Sequence, residues 1–385
     1  MLAESRVENQ ERAATPLDAA GAQAQAGNGA LLEFSLGDHF SLLWVITARQ
    51  LRMLRLPPRV AIEKDVRAFH GLIGKPPEIG AGLNQWRAPA RQLWATLIGA
   101  AEPEIAHFTD WIIVPDGILH YLPFEALVSP ADRCAVEDHT IVYAASASAV
   151  AALRQARQTA VARKELLAYG DPDFGPSRGS LPAVVRSVYR SAGLRLDPLP
   201  NTRREVESIA AVFPQSQSQV RLGSYATESS LKQDDLTQYR RLHFATHAMM
   251  DEASPARSGV VLALNDPGGE DGVLRMNEIL KLRLNADVVV LSACRTGIGA
   301  LVRGEGLVGL TRAFQYAGAS RVLVSLWEVA DAATADLMQA FYSAMGRGRG
   351  PGEALRSAKT RMLAAAAPAY RHPYYWAPFV LAGAE

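Results

Sequence analysis

Two residues in this chain combine a nucleophile with a base at positions that a fold can bring together. Cys294 follows the apolar run Val288-Val-Val-Leu-Ser-Ala293, and His247 follows Arg241-Leu-His-Phe-Ala-Thr246. A thiol with an unperturbed pKa of about 8.5 needs a nearby base to be a strong nucleophile near neutrality. An imidazole, unperturbed at about 6.5, is such a base. If the two runs are adjacent parallel strands, both residues emerge at one sheet edge, where α/β proteins usually place their chemistry. Gly297 and Gly299 then let a substrate backbone approach closely. The bland readings are a small buried hydrophobe for Cys294 and a satisfied structural imidazole for His247.

The elements that must position this pair are legible as texture. From about residue 160 to 383, short continuous apolar runs (166–169, 241–245, 260–264, 287–291 and 321–326) alternate with helical patterns at 203–213, 227–236, 274–281, 305–318, 331–346 and 351–365. Continuous runs suit strands buried on both faces of a parallel sheet, so the spacing predicts a layered α/β/α domain over 161–385 with a largely parallel central sheet. Thr202 and Glu205 have capping-box spacing, and Asp331 reads as a helix cap. Residues 31–160 form an N-terminal α+β accessory region. Within it, strands are expected near 31–36, 40–47 and 51–56, followed by helical periodicity over 59–106 and a strand at 111–115. Residues 1–30, rich in Ala, Gly and Gln, read as a linker or junction to an upstream module.

Composition bounds the function. The 385 residues suggest two or three domains, or one large domain with an accessory region. Lys plus Arg is 40 against 39 for Asp plus Glu, which argues against nucleic acid or an anionic membrane as main partner. The two cysteines, Cys134 and Cys294, make neither a disulfide framework nor a thiolate metal site. No metal and no cofactor is called for. The N-terminus has no basic-then-apolar signal pattern, so a cytoplasmic setting is expected. Cys134 reads as incidental. Asp251, Glu252 and Glu305 are candidates to line a pocket for a basic substrate side chain, with surface solvation as the bland alternative.

Together, Leu242-His-Phe-Ala-Thr-His-Ala248, Leu291-Ser-Ala-Cys-Arg-Thr-Gly297 and the long segment from Gly304 to Asp331 resemble the CHAT domain, of the caspase and separase clan of cysteine peptidases. Supporting segments are Ile113-Val-Pro-Asp-Gly-Ile-Leu-His-Tyr-Leu-Pro-Phe-Glu125, Pro200 to Glu205, Ala226-Thr-Glu228 and His372-Pro-Tyr-Tyr-Trp-Ala-Pro-Phe379. The resemblance covers roughly 31–383. It implies a caspase-like fold with His247 as general base and Cys294 as nucleophile of a dyad. The natural oxyanion donors are the backbone N–H groups of Ala248 and Cys294. It also implies a protein or peptide substrate and regulation by an attached, often tetratricopeptide-type, module. This chain carries Ala248 where the family commonly has Gly.

Three functions fit at this level. The expected one is a cysteine endopeptidase. Ala248 motivates the alternative, a catalytically silent caspase-like scaffold for protein interaction. A third is a small-molecule ester or amide hydrolase using the same pair.

Overall fold

The computed structural model describes residues 16–77, 83–156, 162–175, 196, 199–250, 255–296 and 305–384. Its strands in chain order are β1 (Ala30–Ser35), β2 (Ser41–Ile46), β3 (Leu51–Leu56), β4 (Asp110–Val114), β5 (Thr140–Tyr143), β6 (Leu166–Pro172), β7 (Ser218–Gly223), β8 (Arg241–Met250), β9 (Gly259–Val261), β10 (Val273–Arg275), β11 (Val288–Thr296), β12 (Arg321–Ser325) and β13 (Phe379–Gly383). The longer helices are α1 (Ala19–Ala26), α2 (Arg59–Ile73), α3 (Arg87–Leu97), α4 (Ala147–Gln155), α5 (Pro200–Ala210), α6 (Glu228–Gln233), α7 (Glu305–Ala317), α8 (Asp331–Gly346) and α9 (Pro351–Leu363). The described residues divide into two compact units, one within 16–155 and 349–384, the other within 156–296 and 305–348.

In the first unit, β3, β2 and β1 form an antiparallel meander, and β1 continues in parallel to β4, β5 and β13. Alternation sets the faces: Leu32 and Phe34 of β1, Leu43 and Val45 of β2, and Leu54 and Leu56 of β3 are all buried. Trp86, Trp94 and Leu97 share a buried face at and along α3, as the periodicity anticipates. Within the stretch read as a linker, α1 forms with Asp18 at its N-cap, accepting from the Gly21 N–H at 2.7 Å. Arg154 of α4 donates to the Gln25 carbonyl at 2.8 Å and ties α1 down. Near the C-terminus, Tyr374 and Trp376 are buried and close the core.

One ion pair lies wholly inside this unit. Lys359 of α9 and Glu125 are almost fully buried, with Nζ 2.6 Å from Oε1. The other carboxylate oxygen accepts the Tyr143 O–H at 2.5 Å, and the Tyr143 oxygen accepts the Phe124 N–H at 2.9 Å. Burial depresses the Lys359 ammonium, and Glu125 opposes that. Burial also pushes the Tyr143 phenol well up, assisted by Glu125. The cluster clamps α9 to β5.

The second unit carries a largely parallel sheet, while α9 and β13, from the range 161–385, belong to the first unit. Strands β7, β6, β8, β11 and β12 run parallel in that order. Chain order reverses between β6 and β8, because β7 lies on the far side of β6. That crevice is a topological switch point, where open α/β sheets bind ligands. The outer half of β8 pairs antiparallel with β9, and β9 with β10, so the sheet is mixed. Helix α5 packs on β6 and on α8, giving the layered arrangement. The approach is close: a Cβ on Gly170 would stand 2.8 and 2.9 Å from the Val206 methyls.

Four local expectations change. Strands β8 and β11 run three residues past His247 and two past Cys294, because their ends pair with each other and with β9. The helical pattern at 274–281 shrinks to Met276–Ile279, its start taken by β10. Ala330, not Asp331, occupies the cap position of α8, with Asp331 as its first helical residue. The Thr202–Glu205 capping box does not form, since Leu199 is the cap of α5 and Glu205 is spent elsewhere.

Removing one partner of a buried pair strands the other charge, at a cost of about 3–5 kcal/mol. Lys359→Met should therefore lower stability by about that much in urea unfolding. The double variant Lys359→Met with Glu125→Leu should recover most of the loss.

Candidate functional site

The candidate site lies where β8 and β11 leave the middle of their sheet. Their register runs Val288 beside Arg241 through Leu291 beside Phe244, then resumes with Ala293 beside His247 and Cys294 beside Ala248. Two steps along β11 thus match three along β8, so β8 carries one extra residue. Such a bulge bends the strand and re-aims the side chains beyond it. Thr246 pins it, its hydroxyl donating to the Val261 carbonyl at 2.5 Å.

His247 is buried, with its ring 5.4 Å from that of Phe174, which follows β6. Phe174 in turn packs on the apolar cluster of Met249, Val261, Leu264 and Val273. Ala248 is buried, flanked by β11 on one side and β9 on the other. The backbone places His247 and Cys294 on adjoining strands, as expected. The side chains of Cys294 and Glu305 and the whole of Asp251 and Glu252 lie outside the described residues. The proposed substrate pocket is therefore not assembled from described residues.

A thiol peptidase needs a thiol beside a histidine. Among the described residues the one defined free thiol is Cys134, which is buried. Burial pushes it up to about 12, with Arg87 only partly opposing. No histidine reaches it. The nearest in sequence, His139, bonds through Nδ1 to the Phe108 carbonyl at 2.9 Å and stacks on Trp111 with ring centres 3.8 Å apart. The described residues thus hold no Cys–His pair. This corrects the expectation of a cysteine endopeptidase, and the hydrolase reading goes with it.

The sequence reading missed the polar group that does organise β8. His243, four residues before His247, has no exposed surface. Its Nε2 lies 2.8 Å from Glu205 Oε1 on α5, and its Nδ1 lies 3.1 Å from the Tyr342 hydroxyl on α8. Burial raises the Tyr342 phenol far above its ordinary range, so it stays protonated and can donate. Nε2–H donating to Glu205 and Nδ1 accepting from Tyr342 is one arrangement that meets the hydrogen-bonding capacity of all three groups. The network joins one strand to two helices. The signal available was a histidine inside an apolar strand, which must be partnered; nothing in the spacing points to Glu205 or Tyr342.

The described residues also bring three carboxylates together. Glu228, Glu270 and Glu278 are close enough for one cation. A side chain already supplies it: Lys232 Nζ lies 2.8, 2.9 and 2.8 Å from them. Burial pushes Glu228 up to about 7 even so. The group is an internal clamp between α6 and Met276–Ile279.

Comparison with known proteins places this architecture. The family model described as the CHAT domain matches residues 87–384. The chain is 27% identical to Tetratricopeptide repeat protein 28 of Mus musculus over 341 residues, which is 78% of this chain and 13% of that protein. The Homo sapiens protein of that name is 26% identical over 345 residues, with the same coverage. The chain thus spans about an eighth of the length of these curated relatives. Among solved structures, two of the Saccharomyces cerevisiae separase–securin complex match with TM-scores of 0.55 and 0.52 at 12% and 13% identity. They cover 95% and 98% of this chain and 30% and 31% of those chains, and they establish a caspase-like, separase-like fold. Among the described residues, no helix is long and apolar enough to cross a membrane.

Two outcomes follow. Leaving His243 without its carboxylate partner should cost about 1–3 kcal/mol, so Glu205→Ala should lower the urea midpoint accordingly. In a Cys294→Ser background at pH 8, iodoacetamide should label Cys134 only after denaturant is added. Rapid labelling of the native protein would contradict its burial.

Proposed function

This chain belongs to the CHAT-domain family, and we propose that it works as a caspase-like protein-interaction scaffold. The observation that carries this reading is the company the fold keeps. The curated relatives hold the matching region as about an eighth of a much longer chain named for tetratricopeptide repeats. Such repeats stack into extended concave surfaces that bind other proteins. A compact domain beside such an array presents a second surface to the same partner and raises avidity through effective concentration. We therefore assign this chain an attached or associated tetratricopeptide-type module and a protein partner, in a reducing, cytoplasmic setting that suits its two cysteines.

The chemistry of the described residues supports the same reading. Buried titratable groups that could have served catalysis are held by structural partners: His243 by Glu205 and Tyr342, Lys359 by Glu125. Ala248 sits within a ladder rather than in an open loop.

The test compares the wild-type chain with its His247→Ala and Cys294→Ala variants in affinity purification, with mass spectrometry of what is recovered. The same partners should come down intact and in equal amounts with all three. A partner shortened by the wild type and left intact by Cys294→Ala would overturn the scaffold reading.

A further inference from the structure

The antiparallel meander of the first unit has one face turned to its core and one that is only half covered. Its register sets the uncovered face in rows. Glu33, Trp44 and Met53 form the middle row. To one side of it lie Leu31 and Ile46, both buried, and Leu51, and to the other Ser35, Leu42 and Arg55. Exposure rises toward the edge strand β3: Leu42 and Trp44 are half-buried, while Leu51 is 42% and Met53 58% exposed. Phe40, 41% exposed, extends the strip just before β2. On the opposite face of β3, Leu54 and Leu56 are buried. Clustered apolar exposure of this kind, unlike scattered single residues, marks an interaction surface.

Glu33 gives the strip its character. Among the described residues nothing donates to its carboxylate and no cation neighbours it. Burial alone raises its pKa. The cation on this face, Arg55, is engaged, its guanidinium 4.3 Å from the centre of the Phe40 ring. Arg52 points to the other face and pairs with Glu104. A half-buried carboxylate set between Trp44 on β2 and Val114 on β4 lacks the partner such a group needs when water is removed.

We propose that this face docks an amphipathic helix of a partner protein that brings one Lys or Arg from the middle of its apolar side to Glu33. This rests on the scaffold reading and names the surface that serves it. Dimensions fit: three strands about 4.8 Å apart offer a strip about 10 Å wide, the diameter of a helix with its side chains. Covering a sheet's open apolar face with a helix is the usual solution within α/β layers. Charge balance argues against a second copy of this chain: a two-fold contact centred on Glu33 would bring two carboxylates together, and Arg55, the cation on the strip, is already engaged with Phe40.

The experiment uses the full chain and a fluorescein-labelled helical peptide of about 18 residues, with Leu along one side and Lys at its centre. Matched peptides carry Glu or Met in place of that Lys, and binding is read by anisotropy. The Lys peptide should bind at least about tenfold more tightly than the Glu peptide, and Glu33→Gln should bring the two within about twofold. Met53→Ser, at an exposed position, should weaken the Lys peptide severalfold without changing thermal unfolding. Equal binding of the Lys and Glu peptides, no binding of any peptide, or indifference to Met53→Ser would overturn the proposal. So would a dimer in sedimentation that Met53→Ser dissolves. If the peptides fail while intact partners are still recovered by affinity purification, the assignment of this face falls and the scaffold reading stands. If no partner is recovered either, both fall.

Discussion

A histidine inside a strand that is covered along its whole length must find a partner for each ring nitrogen, and much of the second unit is arranged around that need. β8 lies between β6 and β11, and then between β9 and β11, so water reaches neither of its edges. His243 at its centre recruits Glu205 from α5 and Tyr342 from α8. A half-satisfied buried polar group is worse than none, so these helices are fixed in position as well as packed. Lys359, Glu125 and Tyr143 do for the first unit what His243 and its partners do for the second. Each cluster ties a helix distant in sequence to the sheet, and that defines one packing where apolar contacts alone tolerate several.

The same economy decides the functional reading. Open α/β sheets carry their chemistry at the carboxyl ends of strands, and the switch point between β6 and β8 is such a place. Thr246 beside it bonds the Val261 carbonyl and His243 is held by Glu205 and Tyr342, and the thiol that is defined, Cys134, is buried with no histidine partner. On the scaffold reading proposed above, a domain of this shape, forming a small part of much longer relatives, serves by what it binds. The half-covered strip around Glu33 gives that role a physical location in the first unit.

Fold class was legible because buried parallel strands leave continuous apolar runs, and the runs at 166–169, 241–245, 287–291 and 321–326 all became strands. The meander was legible as three short apolar runs near 31–36, 40–47 and 51–56. Local signals failed where tertiary pairing overrode them. Glu205 has capping-box spacing, yet a buried histidine 38 residues away claims it. The residues after His247 look like a loop, yet β9 and β11 extend the strand through them. The register bulge that places His247 beside Ala293 leaves no mark in composition, because it depends on which strands become neighbours. Glu33 was equally silent. Alternation announces a polar residue on an outer face, but only the finished sheet shows that Trp44 and Val114 flank it.

The most direct test of the central claim is turnover itself. The purified chain is incubated with a mixture-based peptide library covering every residue type at the position before the cut, and hydrolysis is followed by mass spectrometry. The scaffold account predicts product formation at the rate of protein-free buffer for every mixture. Hydrolysis of any mixture that disappears in both Cys294→Ala and His247→Ala would contradict it.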